Sequence, residues 1–433
     1  MSTDVGELAR RTRAFIQEQV LPVERELVVA GRHMDDDVRV DLQRAAREAG
    51  VFGPLTPVEL GGLGLDNAGL AEVLEAAGTS LIGPTAVNCA APDDGNMHLL
   101  AAACTQEQAE RYLHPLLRGE TRSAIALTEP APGAGSDPSM VRTAAARVPG
   151  GWVIDGAKHF ITGAEGAAFT ICIARTGDGG TTMFLVDQDN PGLRVGRRMP
   201  TLDHSAAGGH CEVTFADCFV PDEAVLGDVG AGLRYAQVRL APSRLAFCMS
   251  WLGLAARAHE MAAAHITGRS SFGQPISEHG MAQAHVADNE IDIAAARALV
   301  RSVARVLDTD GLASSTARHG AAIAKTFVAE AVWRVLDRVV QLYGGLGICE
   351  DHLVARFLVE ARGFRIYEGS SEVLRASIAR RVLRAQTAPA PAPPPATPPA
   401  APAPPAPLAP PPPPPPVRRP APPPPPHHTP SPS

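Results

Sequence analysis

Glu368 is the residue whose neighbours most suggest chemistry. It stands in Arg365-Ile366-Tyr367-Glu368-Gly369-Ser370-Ser371-Glu372-Val373, where a carboxylate meets a glycine hinge just ahead of an expected helix start. Ser370 or Ser371 can cap that helix, because short hydroxyls reach backbone N–H groups that have no partner within the helix. The helix is expected to run through Val373, Leu374, Ile378, Val382 and Leu383, an apolar stripe at helical spacing. A carboxylate at such a joint can be held rigidly and aimed into a cleft. It can equally do no more than complement the positive end of the helix dipole. This stretch alone supports both readings.

Other candidate groups are weaker. His204, His210, Cys211 and Cys218 fall close together, but without a helical His-x-x-x-His pair or paired-cysteine spacing no metal site is expected. Gly61-Gly62-Leu63-Gly64 resembles a phosphate loop, yet no strand precedes it and the G-x-G-x-x-G spacing is absent. No Walker loop and no G-x-S-x-G elbow occurs in the chain.

The elements that must position Glu368 fall into three blocks. From the start to about Gly119 the pattern is helical. One helix is expected over Val5 to Val20, stopping before Pro22, and a second over Asp36 to Ala49 with Gly50 as its stop signal. A helix through Leu70, Val73, Leu74 and Ala77 follows the glycine-rich loop, and Thr105-Gln106-Glu107-Gln108 reads as a capping box. Beyond Arg122 short apolar or alternating runs take over: Trp152 to Gly156, Phe169 to Ala174, Met183 to Val186 and Cys211 to Phe215. They predict an antiparallel β-barrel or sandwich ending near Pro221. From Gly232 to Arg384 long amphipathic helices with short turns predict a helical bundle.

The expected division is therefore 1–121 helical, 122–228 β, 229–386 helical bundle, and 387–433 a tail. That last segment holds 26 of the 41 prolines and is expected to be polyproline II or disordered. Its proline runs could dock aromatic grooves beside Arg418 and Arg419, or serve only as a solvated extension. The net charge of −7, with basic residues interspersed among acids, argues against nucleic acid or an anionic membrane as the main partner. Seven unpaired-looking cysteines and the lack of any spanning apolar run or signal segment predict a reduced, cytoplasmic setting.

Six motifs in order then resemble the acyl-CoA dehydrogenases. They are Pro57 to Asp66, Leu127-Thr128-Glu129-Pro130 with Gly133 to Asp137, Lys158 to Gly163, Arg269 to Ile276, Gln341 to Gly347, and the Glu368 stretch. The resemblance covers about Leu8 to Leu383 and implies an N-terminal α domain, a middle antiparallel β-barrel and a C-terminal four-helix bundle. It also implies FAD as cofactor and acyl-CoA as substrate. An electron-transferring flavoprotein would accept the electrons, and a homodimer or homotetramer would share FAD sites between subunits.

By this likeness Glu368 is the catalytic base. Leu127, Thr128, Gly135, Ser136, Phe160, Ile161 and Thr162 cradle the flavin, with Ser370 and Glu372 at its other side. Arg269, Phe272, Gln341, Gly344 and Gly345 reach the dinucleotide of an adjacent subunit, and Ser136, Arg244 and Gly369 meet the substrate. The sequence departs from the family in four places: Ala131-Pro132 is inserted, Phe160 replaces a Trp, His279-Gly280 interrupts the F-Q-x-x-Q segment, and Ser370 replaces the usual Thr while keeping the hydroxyl. Asn88 to Met97 looks closest to a subgroup whose vertebrate members are fused to kinase-like domains, where an Asp stands in place of Glu368. An oxygen-using oxidase of the same fold and a non-catalytic flavoprotein scaffold are the alternatives.

Overall fold

The computed structural model describes residues 4–177 and 180–387. The proline-rich tail lies outside the described residues.

The N-terminal block is helical, as expected. Its helices are α1 (Val5–Phe15), α2 (Leu21–Val29), α3 (Asp36–Glu48), α4 (Asn67–Ala77), α5 (Gly83–Ala86), α6 (Asp93–Ala103), α7 (Gln106–Gln108) and α8 (His114–Leu117). The first helix does not stop before Pro22. A wider π-type turn, Ile16–Val20, links α1 to α2, and Pro22 takes the second position of α2. Proline is tolerated there because an N–H in the first turn needs no partner within its helix. The Thr105 capping box forms in both directions with Gln108.

The middle block is a sheet of β1 (Ser123–Ala126), β2 (Ala144–Val148), β3 (Gly151–Thr162), β4 (Phe169–Thr176), β5 (Gly180–Asp187), β6 (Leu193–Arg198), β7 (His210–Pro221) and β8 (Val225–Leu226). Its order is β6-β7-β3-β2-β4-β5-β8, with β1 alongside β4. Most pairings are antiparallel, but β4 takes β1 and one residue of β2 in parallel, so the sheet is mixed. Both faces of its centre are buried. Alternate residues of β4 and β5 separate cleanly: Cys172, Ala174, Phe184 and Val186 join one core with Trp152 and Phe215. Phe169, Ile171, Ile173, Met183 and Leu185 face the other way, onto Leu99 and Leu116 of the N-terminal helices. Near-continuous apolar strands follow from this two-sided burial.

The C-terminal block contains α9 (Gly232–Gly268), a hairpin of β9 (Ser270–Ser271) and β10 (Gln274–Pro275), α10 (Gly280–Asp310), α11 (Ser315–Tyr343), α12 (Leu353–Ala361) and α13 (Ser371–Thr387). Its apolar faces share one core with the N-terminal helices, in which Leu8, Leu74, Leu252, Val335 and Phe357 are all buried. The first and third blocks are thus joined through their hydrophobic interior. That places α6 against α9, where the candidate site is built.

Candidate functional site

The Glu368 joint is tethered by side chains from two helices of the bundle. A short 3-10 turn, Arg362–Arg365, follows α12, and the backbone then turns sharply before α13. Glu368 has φ +54° and Gly369 φ +95°. A left-handed glutamate is strained, and such strain persists only where surrounding contacts enforce it. Four contacts do so. Arg244 Nε donates to the Glu368 carbonyl at 2.8 Å, and Lys325 Nζ donates to the Gly369 carbonyl at 2.8 Å. Arg239 Nη1 donates to Glu368 Oε1 at 3.0 Å, and Trp251 Nε1 donates to the Tyr367 hydroxyl at 2.8 Å. Glycine is favoured at 369 by that positive φ, and a Cβ there would also crowd Leu374 at 3.1 Å and the Arg244 guanidinium at 3.2 Å.

Of the two serines, Ser370 caps α13, accepting from the Val373 N–H at 3.4 Å, while the Ser371 hydroxyl donates to Glu330. The aromatic rings of Phe247, Trp251 and Phe364 pack around Tyr367, whose phenol burial pushes well above its ordinary pKa. Burial likewise pushes the Lys325 ammonium down to about 8. Glu368 and Arg239 side chains are only 10% and 9% exposed. A buried pair of this kind is costly to break, because either partner alone is an uncompensated charge. Glu368 Oε2 is buried and has no hydrogen-bond partner among the described residues. That oxygen is the site's unused proton acceptor.

A hydrogen-bond chain leads from this joint to the predicted flavin loop. Arg239 Nε donates to Asn96 Oδ1 at 3.3 Å, and Asn96 Nδ2 donates to the Ser123 hydroxyl at 2.9 Å. Ser123 donates through both N–H and hydroxyl to Asp93, at the start of α6. It also opens β1, whose end delivers Leu127 and Thr128. Lys158, fully buried, donates to the Leu127 carbonyl, the Ile173 carbonyl and Glu129 Oε1, the last at 2.9 Å. Burial alone would raise the Glu129 carboxyl, but Lys158 and the N–H groups of Arg142 and Thr143 outweigh it and hold it at about 2.

The Thr128 carbonyl accepts from the His159 N–H at 3.0 Å, which ties the second motif to the third. A bulge between Lys158 and Ile161 turns Phe160 outward, with φ +55° and 48% of its surface exposed. Ile161 is buried, and the Thr162 hydroxyl bonds His210 Nδ1, whose Nε2 meets Asp203. Gly135 and Ser136 lie exposed beyond the inserted Ala131-Pro132, whose peptide bond is cis.

The remaining predicted residues sit apart. Arg269, Phe272, Gln341, Gly344 and Gly345 are exposed at one end of the bundle. Tyr343 brings the two segments together there: its hydroxyl donates to the Met261 carbonyl and its ring stacks on His265. Glu372 is exposed in the first turn of α13. Sequence reading missed Arg239, Asn96, Lys325 and Trp251. Each acts through a partner more than 40 residues away, so no local motif marks them. The one available signal was that Asn96 falls inside the Asn88 to Met97 stretch already singled out.

Comparison with known proteins settles the family. Residues 2–120, 124–218 and 230–383 match, in order, the N-terminal, middle and C-terminal domains of acyl-CoA dehydrogenase. The chain belongs to the acyl-CoA dehydrogenase family. It is 34% identical over 397 residues to "Probable acyl-CoA dehydrogenase FadE2" of Mycobacterium tuberculosis, covering 88% of this chain and 96% of that protein. It is 33% identical over 404 residues to mouse acyl-CoA dehydrogenase family member 10, covering 89% of this chain. The match spans only 38% of that mouse protein's length. The butyryl-CoA dehydrogenase structure from Megasphaera elsdenii superimposes with TM-score 0.77 at 27% identity, covering 89% of this chain and 99% of that one.

The family's fold is that of an FAD-dependent flavoenzyme, and the residues present fit the cofactor. Phe160 offers an exposed aromatic platform, and Gly135, Gly344 and Gly345 have open space on the side where a Cβ would point. An isoalloxazine ring and a diphosphate need surfaces of these two kinds.

Proposed function

We propose that this family member dehydrogenates an acyl-CoA thioester to the trans-2-enoyl-CoA, with Glu368 as the base that removes the α-proton. The single observation that carries the reading is the strained, four-way tethered Glu368, with Oε1 held by Arg239 and Oε2 buried without a partner. A base must be fixed within reach of its proton and still keep a lone pair open. FAD, when bound, supplies the acceptor for the β-hydrogen, and an electron-transferring flavoprotein takes the electrons onward.

Leu127, Thr128, Gly135, Ser136, Ile161 and Thr162 would hold the flavin edge, Phe160 would cover its face, and Ser370 and Glu372 would flank it. Ser136 and the Gly369 backbone would meet the thioester. Arg244 is half-buried and commits Nε to the Glu368 carbonyl, so we assign it to holding the base's backbone as well as lining the substrate cleft. Arg269, Phe272, Gln341, Gly344 and Gly345 would complete the FAD site of a second copy, in a dimer or tetramer. The division into 1–121, 122–228, 229–386 and the tail follows the same assignment.

No helix among the described residues is long and apolar enough to cross a membrane, and all seven cysteines are free. Both facts support a role in the reducing cytoplasm. The test is anaerobic: the purified protein is loaded with FAD and titrated with acyl-CoAs of graded chain length while flavin absorbance is followed. Bleaching by one class names the substrate. Failure to take up FAD would overturn the proposal.

A further inference from the structure

The Arg239 guanidinium is not shared with Glu368 alone. It lies against the first turn of α6, so close to Gly95 that a Cβ there would stand 2.7 Å from its Nε. Immediately before that glycine is Asp94, 2% exposed, whose Oδ1 has no hydrogen-bond partner among the described residues. Two buried carboxylates, each with one oxygen left without a partner, therefore lie in the field of one cation, which forms an ion pair with Glu368 and none with Asp94. Asp94 forms no hydrogen bond or ion pair with Glu368, and the mechanism above leaves it without a role. A buried carboxylate without full satisfaction is costly, and a stability-only design would not keep it.

We propose that Asp94 is a positioning residue, the alternate partner that draws Arg239 away from Glu368 when the base turns to its substrate. The inference rests on the reading of Glu368 as the α-proton base. Arg239 as seen holds Glu368 Oε1 at 3.0 Å, which fixes the carboxylate but also stabilises its charge and opposes proton uptake. A second anion behind the guanidinium offsets that hold. With Asp94 ionised, Arg239 has two competing partners and Glu368 is the better proton acceptor. With Asp94 protonated, Arg239 belongs to Glu368.

Burial raises the Asp94 carboxyl to about 7, with the charges of Glu368 and Asp93 adding to the rise and Arg239 and the Gly95 N–H opposing it. The groups facing it are Arg239 from α9, Glu368 from the joint, Asp93 on its own turn and the buried thiol of Cys89. The switch point therefore falls near neutral pH.

Asp94→Asn tests this in the FAD-loaded enzyme. In the wild type kcat should rise with pH through about 7. In Asp94→Asn that limb should vanish: kcat at pH 8 falls about tenfold, equivalent to one pKa unit of lost leverage, and approaches the wild-type value at pH 5.5, with KM little changed. Stability gives a readout without turnover. An acid whose folded pKa is raised contributes stability that is lost as pH rises through that value. Asp94→Asn should thus melt higher than the wild type at pH 8, and the difference should shrink toward pH 5. A merely structural Asp94 predicts the opposite, a lower melting temperature at every pH and a parallel rate profile, and that outcome overturns the proposal.

Should Asp94→Asn fail to fold, Arg239→Gln serves instead. With no cation to share, its rate profile should also lack the limb near 7, and a surviving limb overturns the proposal. If Glu368→Gln kept full activity, the reading of the base would fall. The pH dependence of the Asp94→Asn melting temperature would still report on Asp94 separately.

Discussion

Glu368 and Phe272 carry nearly the same backbone strain, φ +54° and +51°, in opposite surroundings. Around Glu368 three cationic side chains and an indole N–H from α9 and α11 enforce the turn. Phe272 is 98% exposed at the tip of the β9–β10 hairpin, where the His279 ring meets the Ser271 carbonyl and the edge of Phe272 but no arginine or lysine among the described residues holds the turn. On the proposed function, the contrast separates a part of the site that the chain builds by itself from a part that a second copy would complete. Strain at Glu368 is offset internally, so the chain's own side chains set the geometry of the proposed base. Strain and exposed apolar surface at Phe272 call for a covering surface, and a second copy of the chain would supply it.

The first two predictions attack the self-contained side. Glu368→Gln keeps the shape and the Arg239 contact but removes the lone-pair basicity. Substrate-driven flavin reduction should fall by about 10²–10⁴-fold, the usual weight of a general base, with FAD content unchanged. Rapid-mixing kinetics measure it, and wild-type reduction would show that the proton acceptor lies elsewhere. Lys158→Met removes the cation paired with buried Glu129 beneath the proposed flavin loop and should destabilise by about 3–5 kcal/mol in thermal or denaturant unfolding. Its pH signature is specific. Because the folded Glu129 carboxyl is depressed to about 2, its contribution in the wild type is present above the ordinary carboxylate range and lost as pH falls toward 2. The Met variant should lose that acid-side slope.

The open side responds differently. Phe272→Ser should leave the fold's own stability unchanged while weakening self-association and FAD retention by about tenfold, the loss of one buried aromatic contact at an interface. Sedimentation velocity with flavin absorbance detection reads both at once. An unchanged oligomer with full FAD would show that Phe272 is simply exposed.

The same contrast explains what was legible in the sequence. The three blocks could be read because helical and alternating periodicities record burial, and the β4 and β5 runs even record burial on two faces. The motif residues were legible as a likeness, including those on the open side, since each lies in a compact local pattern. The tethers were not. Arg239, Lys325 and Trp251 are ordinary helix residues until folding brings them to a joint 129, 44 and 116 residues away. The continuation of the first helix through Pro22 was missed for a local reason: a π-type turn resets the hydrogen-bond register just before the proline, and residue type does not announce it. The parallel pairing of β1 with β4 was equally hidden, because strand direction depends on connections rather than on composition.

Two smaller changes sharpen the picture of the joint. Trp251→Phe keeps the ring stack but removes the donor to the buried Tyr367 hydroxyl, so about 1 kcal/mol of positioning should be lost. The expected result is a several-fold drop in kcat with KM held, since the residues proposed to meet the substrate are unchanged.

The smallest effect should separate the two serines. Ser370→Ala removes the oxygen that accepts the Val373 N–H, leaving a donor at the start of α13 without its cap. Loss of such a cap costs about 0.5–1 kcal/mol, and the long 3.4 Å contact places it at the low end. Ser371→Ala instead removes a donor to Glu330, whose carboxylate keeps Arg365 and Arg375. With those two cations remaining, Glu330 stays satisfied and the change should fall within experimental error in the same melting assay. If Ser371 proved the costlier loss, α13 would be anchored through Glu330 of α11 rather than through its own cap. The base would then be positioned wholly by its neighbours.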